Sequence, residues 1–529
     1  MSQGLFIRQW PFRQRRGGCP VSGTTWILAG SLASCLVLGC GPNDAEEAHE
    51  QDVSPTDSAD EVSPTDSAGE AHQASLKGAE RDAPTHGSLA NRPSTVAPNP
   101  EEWPLVGRVS GVQLRIHRRP QTNAPIEGVL RLGAYIRMKA KRHRTPTCAT
   151  GWMAVYPKGY ACAGQGIETL SAGVENLEVS RSNRVSDLPY DYFKVKQART
   201  AEYFRPPTDE EWRRTWAYAR RLGELEDEQS PRLSSFLRGE LKSEPIRPGV
   251  VSRFLDRGFH VAITKGAEQR GAFIRTIRGG YIWKERLVPR SNSTFQGVEL
   301  KGERTLPMAW MRRTARPRHQ RRRADGTMRW AEHPNWEPIP RQTVLDNWLG
   351  RERSDGRTVH RLEGDRFLLA WFVGVSERVP ERIFRRYNFG SEELWVHVDR
   401  SEQTLVAYRG ATPLFSTLVS TGVDGHETPL GMFRVQKKRI TATMSNLGPE
   451  AGDDRYRIED VPWTQYFEGS LALHGAFWHE RFGLRQSHGC INLSPADARR
   501  LFDLTQPEVP SGWHGVNTRD DGTRILISE

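Results

Sequence analysis

The sequence predicts a mainly β fold, and three observations carry that expectation. Near the C-terminus Leu394, Val396 and Val398 alternate with Trp395, His397 and Asp399, the two-residue period of a strand with two distinct faces. Upstream, Leu114-Arg115-Ile116, Val129-Leu130, Tyr135–Met138 and Trp152–Val155 are short apolar runs separated by Pro120, Pro125 and Gly133. That spacing is the punctuation of strands and turns. Helix-start chemistry stands out at two places, Thr208–Glu211 and Ser494–Asp497.

The 529 residues suggest several domains, at roughly 150 residues each. Hydrophobic residues make up 36% and charged residues 26%, so the chain is polar yet able to bury cores. Net charge is +11, distributed unevenly. From Gly41 to Pro100 twelve Asp and Glu face three Lys and Arg, which leaves the remainder strongly basic. A basic surface suits nucleic acid, anionic lipid or an anionic wall polymer.

The N-terminus chooses among these. Arg8, Arg13, Arg15 and Arg16 precede an apolar run from Trp26 to Gly39 that ends at Cys40. This is the layout of a secretory signal, too short in its apolar core for a comfortable membrane span. Val37-Leu38-Gly39-Cys40 resembles the lipobox of bacterial lipoproteins, which implies a signal peptide over 1–40 and lipidation of Cys40. Gly41 after that cysteine implies the outer rather than the inner membrane by the same resemblance. The expectation is a periplasmic protein held to a membrane by lipid, with nucleic acid excluded as a partner.

Residues 41–101 read as a disordered acidic linker. Val53–Ala59 recurs as Val62–Ala68, a nine-residue repeat without bulky apolar groups. Such a segment cannot bury enough surface to offset its ordering entropy. Among the six cysteines, Cys19 and Cys35 leave with the signal. Cys148 and Cys162 lie close in sequence in an oxidising compartment, which predicts a disulfide adding about 3 kcal/mol in the chain-entropy view. Cys490 is then left as a candidate nucleophile.

Over 102–170, "LRIHRRPQTNAPIEGVLRLGAYI" followed by "GWMAVYPKGYAC" resembles a bacterial SH3-like barrel, a family that binds cell-wall peptide or spaces domains. Residues 185–390 read as an accessory α+β region, rich in β and of unassigned role. Thr208 and Glu211 form a capping-box start, and Trp212, Trp216 and Ala219 continue at helical spacing toward an end near Leu222. Strands are expected at 259–263, 272–274, 281–283 and 367–373. The run containing Arg312, Arg313 and Arg316 to Arg323 reads as a solvated loop.

The segment 392–529 carries the chemistry. His474-Gly475 is followed by Ser487-His488-Gly489-Cys490, with His474 and Cys490 sixteen residues apart. A thiolate is the nucleophile, and a cysteine pKa of about 8.5 leaves little of it near neutrality. An imidazole that accepts the proton removes that handicap. Gly489 allows close backbone approach to a carbonyl, and the N–H groups of Gly489 and Cys490 are natural oxyanion donors. Spacing alone does not choose between His474 and His488 as base; His426 and His479 are weaker rivals. A zinc site from His474, His488 and Cys490 lacks a close-spaced ligand pair, so no metal is expected, and no glycine loop implies a nucleotide cofactor. Ser494 as N-cap with Pro495 predicts a helix from Pro495 to about Leu504.

"VHVDRSEQTLVAYRG", "LVSTGVDGHETPLGMFRV", "LHGAFWHERFG" and "SHGCINLSPADARRLF" resemble, in order, the L,D-transpeptidases of the YkuD type. The resemblance implies a mainly β catalytic domain over 392–529 with a short helix after the cysteine. It implies Cys490 as nucleophile, His474 as base, Gly475 as the residue whose carbonyl orients that imidazole, and Ser487, His488 and Gly489 as lining. Asn492 stands where many relatives carry Arg. The implied activity is cysteine acyl transfer on peptidoglycan peptide stems, forming 3→3 crosslinks without a cofactor. Water as acceptor makes it an L,D-carboxypeptidase, and a protein amine makes it a wall-anchoring enzyme. The alternative from another class is a non-catalytic peptidoglycan-binding lipoprotein.

Overall fold

Strand Tyr456–Glu468 runs through the middle of the molecule and joins its parts. The computed structural model describes residues 99–170, 186–267, 269–326, 328–354, 356–448 and 455–529. The expected signal, Cys40 and the repeat-bearing linker up to residue 98 lie outside the described residues. The long strand pairs antiparallel with Lys437–Asn446 and Leu471–Gly475, and parallel with His260–Ile263 through Ile458. Asp460 and Trp463 both have φ of +57°, and Asp460 lies where the strand's register with Ala442 and Met444 slips.

The fold is mostly β, as the alternation predicts. Seven antiparallel strands occupy Leu105–Leu170, and Cys148 is disulfide-bonded to Cys162. This block is continuous with the C-terminal region. Gly515–Asn517 pairs with Ile126–Arg131 on one side and Lys437–Asn446 on the other, within one 15-stranded sheet. Close approach there requires Gly128, because a Cβ would stand 2.3 Å from the Trp513 ring.

In the accessory region the strands His260–Ile263, Phe273–Arg275 and Tyr281–Trp283 fall on the expected apolar runs. The run 367–373 divides into Arg366–Leu369 and Val373–Ser376 around a 3-10 turn. Helix Asp209–Asp227 opens on the Thr208/Glu211 capping box but extends past Leu222. Gly223 does not stop it: the Arg199 guanidinium lies where a Cβ would sit, and Leu225 buries beside Tyr218 and Phe236. The arginine run differs from expectation. Arg318–Arg322 is a strand paired with Met328–Glu332, and half-buried Arg312 pairs with Glu402 at 3.0 Å. Strand alternation gives the long side chains a solvent face while the backbone stays paired.

A six-stranded sheet forms the second half of the C-terminal core, built around Leu394–Asp399, Thr404–Arg409 and Arg524–Ser528. Both of its faces are buried. Val396, Val398, Leu405 and Ala407 pack on one side; Trp395, Val406 and Tyr408 pack on the other. The Trp395 face is covered by Phe389, stacked at 4.0 Å, and by Phe384 at 5.4 Å. Phe295, Leu306 and Trp310 belong to the same cluster, and Val298–Glu299 adds an edge strand. Residues numbered well before 392 thus complete this core.

Two adjacent acids on the long strand tie the regions together. Glu459 is buried and meets Arg253 at 2.7 Å, Arg457 at 3.2 Å and Arg278 at 3.3 Å. Burial pushes the Glu459 carboxyl up, but the three guanidiniums outweigh it and hold it below the usual carboxylate range. Asp460 pairs with Arg131, accepts from the Thr441 hydroxyl at 2.7 Å, and its carbonyl accepts from the Tyr192 hydroxyl at 2.6 Å.

Three buried histidines make stability depend on pH. Burial lowers His260 to about 3, and His360 and His397 to about 4. Neutral when folded, they take protons only in the unfolded chain below about pH 6.5, so acidification erodes stability by up to about 1.4 kcal/mol per group and pH unit. Asp497 acts oppositely: burial raises it to about 6, and the stability this contributes is present at low pH and lost as pH rises through 6. Three groups outweigh one. Thermal melts should show a lower midpoint at pH 5 than at pH 7, with a smaller drop in His260→Phe; an equal or higher midpoint at pH 5 contradicts this account.

Candidate active site

Strand pairing positions the candidate nucleophile and base. Leu471–Gly475 runs parallel to Ile491–Leu493, with Leu473 opposite Ile491 and His474 opposite Asn492. One step back, Cys490 falls opposite Ala472, whose N–H donates to the Cys490 sulfur at 3.4 Å. Leu473, Ile491 and Leu493 all point into one core, while Ala472 and Cys490 belong to the cluster on the other side. Alternation therefore puts His474 on the same face as Ala472 and Cys490. Two residues along and one strand across, the His474 and Cys490 Cα atoms are about 8 Å apart at ordinary strand rise and spacing. The structure brings the two predicted residues together on one face.

The turn before Cys490 is held by short polar contacts. The Ser487 hydroxyl donates to the Cys490 carbonyl at 2.6 Å and accepts from the Gly489 N–H at 3.2 Å. The Thr428 hydroxyl donates to the Gly489 carbonyl at 2.8 Å and accepts from the Gly422 N–H at 3.0 Å. Gly489 has φ of +114°, and a Cβ there would lie 2.8 Å from Leu471. In this arrangement the Gly489 N–H donates to the Ser487 hydroxyl.

His488 is half-buried, with its ring 4.2 Å from that of exposed His426. His479 lies 3.0 Å from the Asn492 side-chain nitrogen, so it too borders the site. Sequence spacing gave no reason to bring His426 and His479 here; the loop 420–428, bridged to Ser487 and Asn492, does so. Trp478 stacks on His474 at 5.6 Å. Sequence reasoning saw aromatics in this segment without assigning that contact.

Gly475 and Asp497 fix the base strand to the helix. A Cβ on Gly475 would come within 3.1 Å of Pro462 and 3.2 Å of Pro495. Helix Pro495–Leu504 has Ser494 as N-cap, accepting from the Asp497 N–H. The Asp497 carboxyl accepts from the Thr417 hydroxyl at 2.6 Å and the Gly297 N–H at 2.9 Å. Burial lifts this carboxyl even though both bonds favour its charged form.

The sulfur is not open to solvent in this conformation. Cys490 is 1% exposed and His474 0%. An uncovered thiol is what nucleophilic attack leads one to expect, and the reason for its burial is tertiary. Tyr192 and Ala262 of the accessory region join Cys490, Phe477 and Ala472 in one apolar cluster. Tyr192 stacks on Phe477 at 4.0 Å, and His260 meets Phe477 edge-on at 5.6 Å. Among the described residues no group of three or more His, Cys, Asp or Glu could hold a metal ion.

Residues 393–527 match the family model of the YkuD L,D-transpeptidase catalytic domain. The C-terminal region is therefore similar to the catalytic domains of the L,D-transpeptidase class. The putative L,D-transpeptidase YciB of Bacillus subtilis is 25% identical over 125 residues, covering 21% of this chain and 61% of that protein. The chain thus spans less than two thirds of its curated relative. Among solved structures, the catalytic domain of the E. faecium L,D-transpeptidase is similar at 24% identity and a TM-score of 0.21, covering 26% of this chain and 98% of that one. An L,D-transpeptidase from Mycobacterium smegmatis is similar at 18% identity and a TM-score of 0.22, covering 40% and 77%.

Gly489→Ala tests the turn. Its positive φ and the contact with Leu471 should cost about 1–3 kcal/mol, read as a lowered unfolding midpoint. A variant of unchanged stability contradicts the strained geometry.

Proposed function

We propose that this protein is a peptidoglycan L,D-transpeptidase acting through a cysteine thioester. The observation that carries the reading is the parallel pairing that sets Cys490 and His474 on one strand face, within a segment matching that catalytic family. The same pairing supports His474 as base, the role the family resemblance implies for it.

The Cys490 sulfur attacks the carbonyl of the third, L-centred residue of a tetrapeptide stem while His474 takes the thiol proton. That proton passes to the nitrogen of the departing D-alanine, and a thioester remains. An amine of a second stem then attacks the thioester, His474 accepts its proton and returns it to the sulfur, and a 3→3 crosslink forms. Water or a protein amine in place of the stem amine gives carboxypeptidase or wall-anchoring activity by the same chemistry. Lipid on Cys40 holds the enzyme to a membrane, the outer membrane in this reading, and the acidic linker supplies reach to the wall.

One observation favours a second reading, a non-catalytic wall-binding lipoprotein: the 1% exposure of Cys490. Acyl transfer requires the Tyr192–Phe477 cover to move aside for the stem, whereas a binding protein has no such need.

Incubating the full chain with disaccharide-tetrapeptide separates the two. Mass spectrometry should detect D-alanine loss and a crosslinked dimer, both absent from Cys490→Ala. Product from that variant, or none from the native chain, refutes the enzymatic reading. The full chain is needed because residues 295–310 complete the core. A second expectation concerns carbapenems, since an L,D-transpeptidase has been solved in complex with imipenem. Intact-mass measurement should find one imipenem adduct on the native chain and none on Cys490→Ala; an unmodified native chain counts against a reactive thiol.

A further inference from the structure

Trp212, Trp216 and Ala219 form a stripe on helix Asp209–Asp227, at the four- and three-residue steps that place side chains on one helix face. This stripe forms one wall of a cavity of about 190 Å³. Tyr203 and Trp283, from strands Thr200–Tyr203 and Tyr281–Trp283, form the other wall. Trp216 remains 44% exposed, a large apolar surface left facing solvent.

The rings make a corner. Trp212 stands edge-on to Trp283, with centroids 5.0 Å apart at 87°, and is inclined 64° to Trp216 at 6.1 Å. Arg286 lies over both outer indoles, 4.3 Å from Trp216 and 5.2 Å from Trp283. Two more guanidiniums border the cavity, but both have acidic neighbours. Arg199 pairs with Glu226 at 2.8 Å and Asp227 at 3.4 Å, and Arg220 approaches Glu224 at 4.0 Å. Among the described residues Arg286 makes no ion pair. Burial pulls it below its ordinary value, and the opposing pull of Tyr203 and Glu285 does not make up the loss of water.

These features select a ligand chemistry. The Arg286 guanidinium already lies over two of the indoles and repels a second cation, so the aromatic walls do not form a cage for an ammonium group. A flat base or aromatic acid stacks best in a parallel slot, and Trp212 is parallel to neither Trp216 nor Trp283. A puckered ring presents C–H groups in two directions and fits a corner of indole faces. A cavity of about 190 Å³ has room for one sugar-sized ring. An acidic substituent on that ring would meet Arg286 in a charge-assisted, two-pronged contact.

We propose that this cavity binds a single pyranose ring bearing a carboxylate, with the ring against Trp212, Trp216 and Trp283 and the carboxylate on Arg286. The site lies in the accessory region and does not depend on the chemistry proposed for Cys490. It gives residues 197–286 a recognition role.

The full chain is titrated with N-acetylmuramic acid, whose lactyl arm carries a carboxylate, and with N-acetylglucosamine, which lacks that arm. Calorimetry and saturation-transfer NMR should find the acidic sugar bound at least tenfold tighter. Trp216→Ala should weaken it at least tenfold; this exposed position lies outside the packed core, and a melting curve confirms the fold. Arg286→Gln should erase the preference while leaving the neutral sugar unchanged. A salt titration reads the same charge contact without a variant, because the preference should shrink as sodium chloride rises. Cys490→Ala should bind as the native chain does, which separates this site from the thiol. The proposal is overturned by no binding of the acidic sugar, equal affinity for both sugars, tighter binding of indole-3-acetate, or unaltered binding by Trp216→Ala.

Discussion

The parallel contact between Leu471–Gly475 and Ile491–Leu493 is the constraint on which the site depends. A parallel pair fixes both register and face, so a slip of one residue would turn Cys490 into the core that holds Ile491 and Leu493. Several interactions guard that register. Ser420 exchanges backbone hydrogen bonds with Asn492, Thr428 holds the Gly489 carbonyl, and Asp497 clamps the following helix to Thr417 and Gly297. Each lies at a different point along the chain, and together they leave Cys490 one position.

Further out, Glu459 and Asp460 show how a multi-part chain is made into one body. The long strand presents adjacent carboxyls, one to arginines of the accessory region and one to Arg131 of the N-terminal block. Buried charges carry a desolvation cost that only good pairing offsets, so these contacts act more as alignment than as net stabilisation. Alignment has a consequence for the site. The accessory strand His260–Ile263 is placed beside the long strand, and Ala262 and Tyr192 thereby reach the cluster that covers Cys490. The N-terminal block enters the same sheet through Gly515–Asn517, so the regions share backbone hydrogen bonds as well as ion pairs.

Much of the local structure was legible. The alternation at 394–399, the helix begun by Ser494-Pro495 and the capping box at Thr208 all depend on neighbours within a few residues. Other features were not. Trp395 was read as standing on the opposite face from Val396, which holds, but alternation gave no sign that aromatics from 384 and 389 would bury that face too. The helix expected to end near Leu222 runs on to Asp227, because Gly223 is backed by Arg199 from another element. The arginine run looked solvated from charge density, yet its backbone is paired, since hydrogen bonding along a strand is indifferent to long polar side chains on its outer face.

The sequence by itself determined the chemical vocabulary of the site: thiol, imidazoles and glycines in one short stretch, with a capped helix behind them. Those are properties of residue type and spacing, and they survive without knowledge of distant contacts. Tertiary structure alone decided that His474 shares a strand face with Cys490, that the Gly489 N–H donates to Ser487, and that the accessory region joins the cluster around the sulfur. Each of these depends on strand register or on packing between residues hundreds of positions apart, where local pattern carries no information.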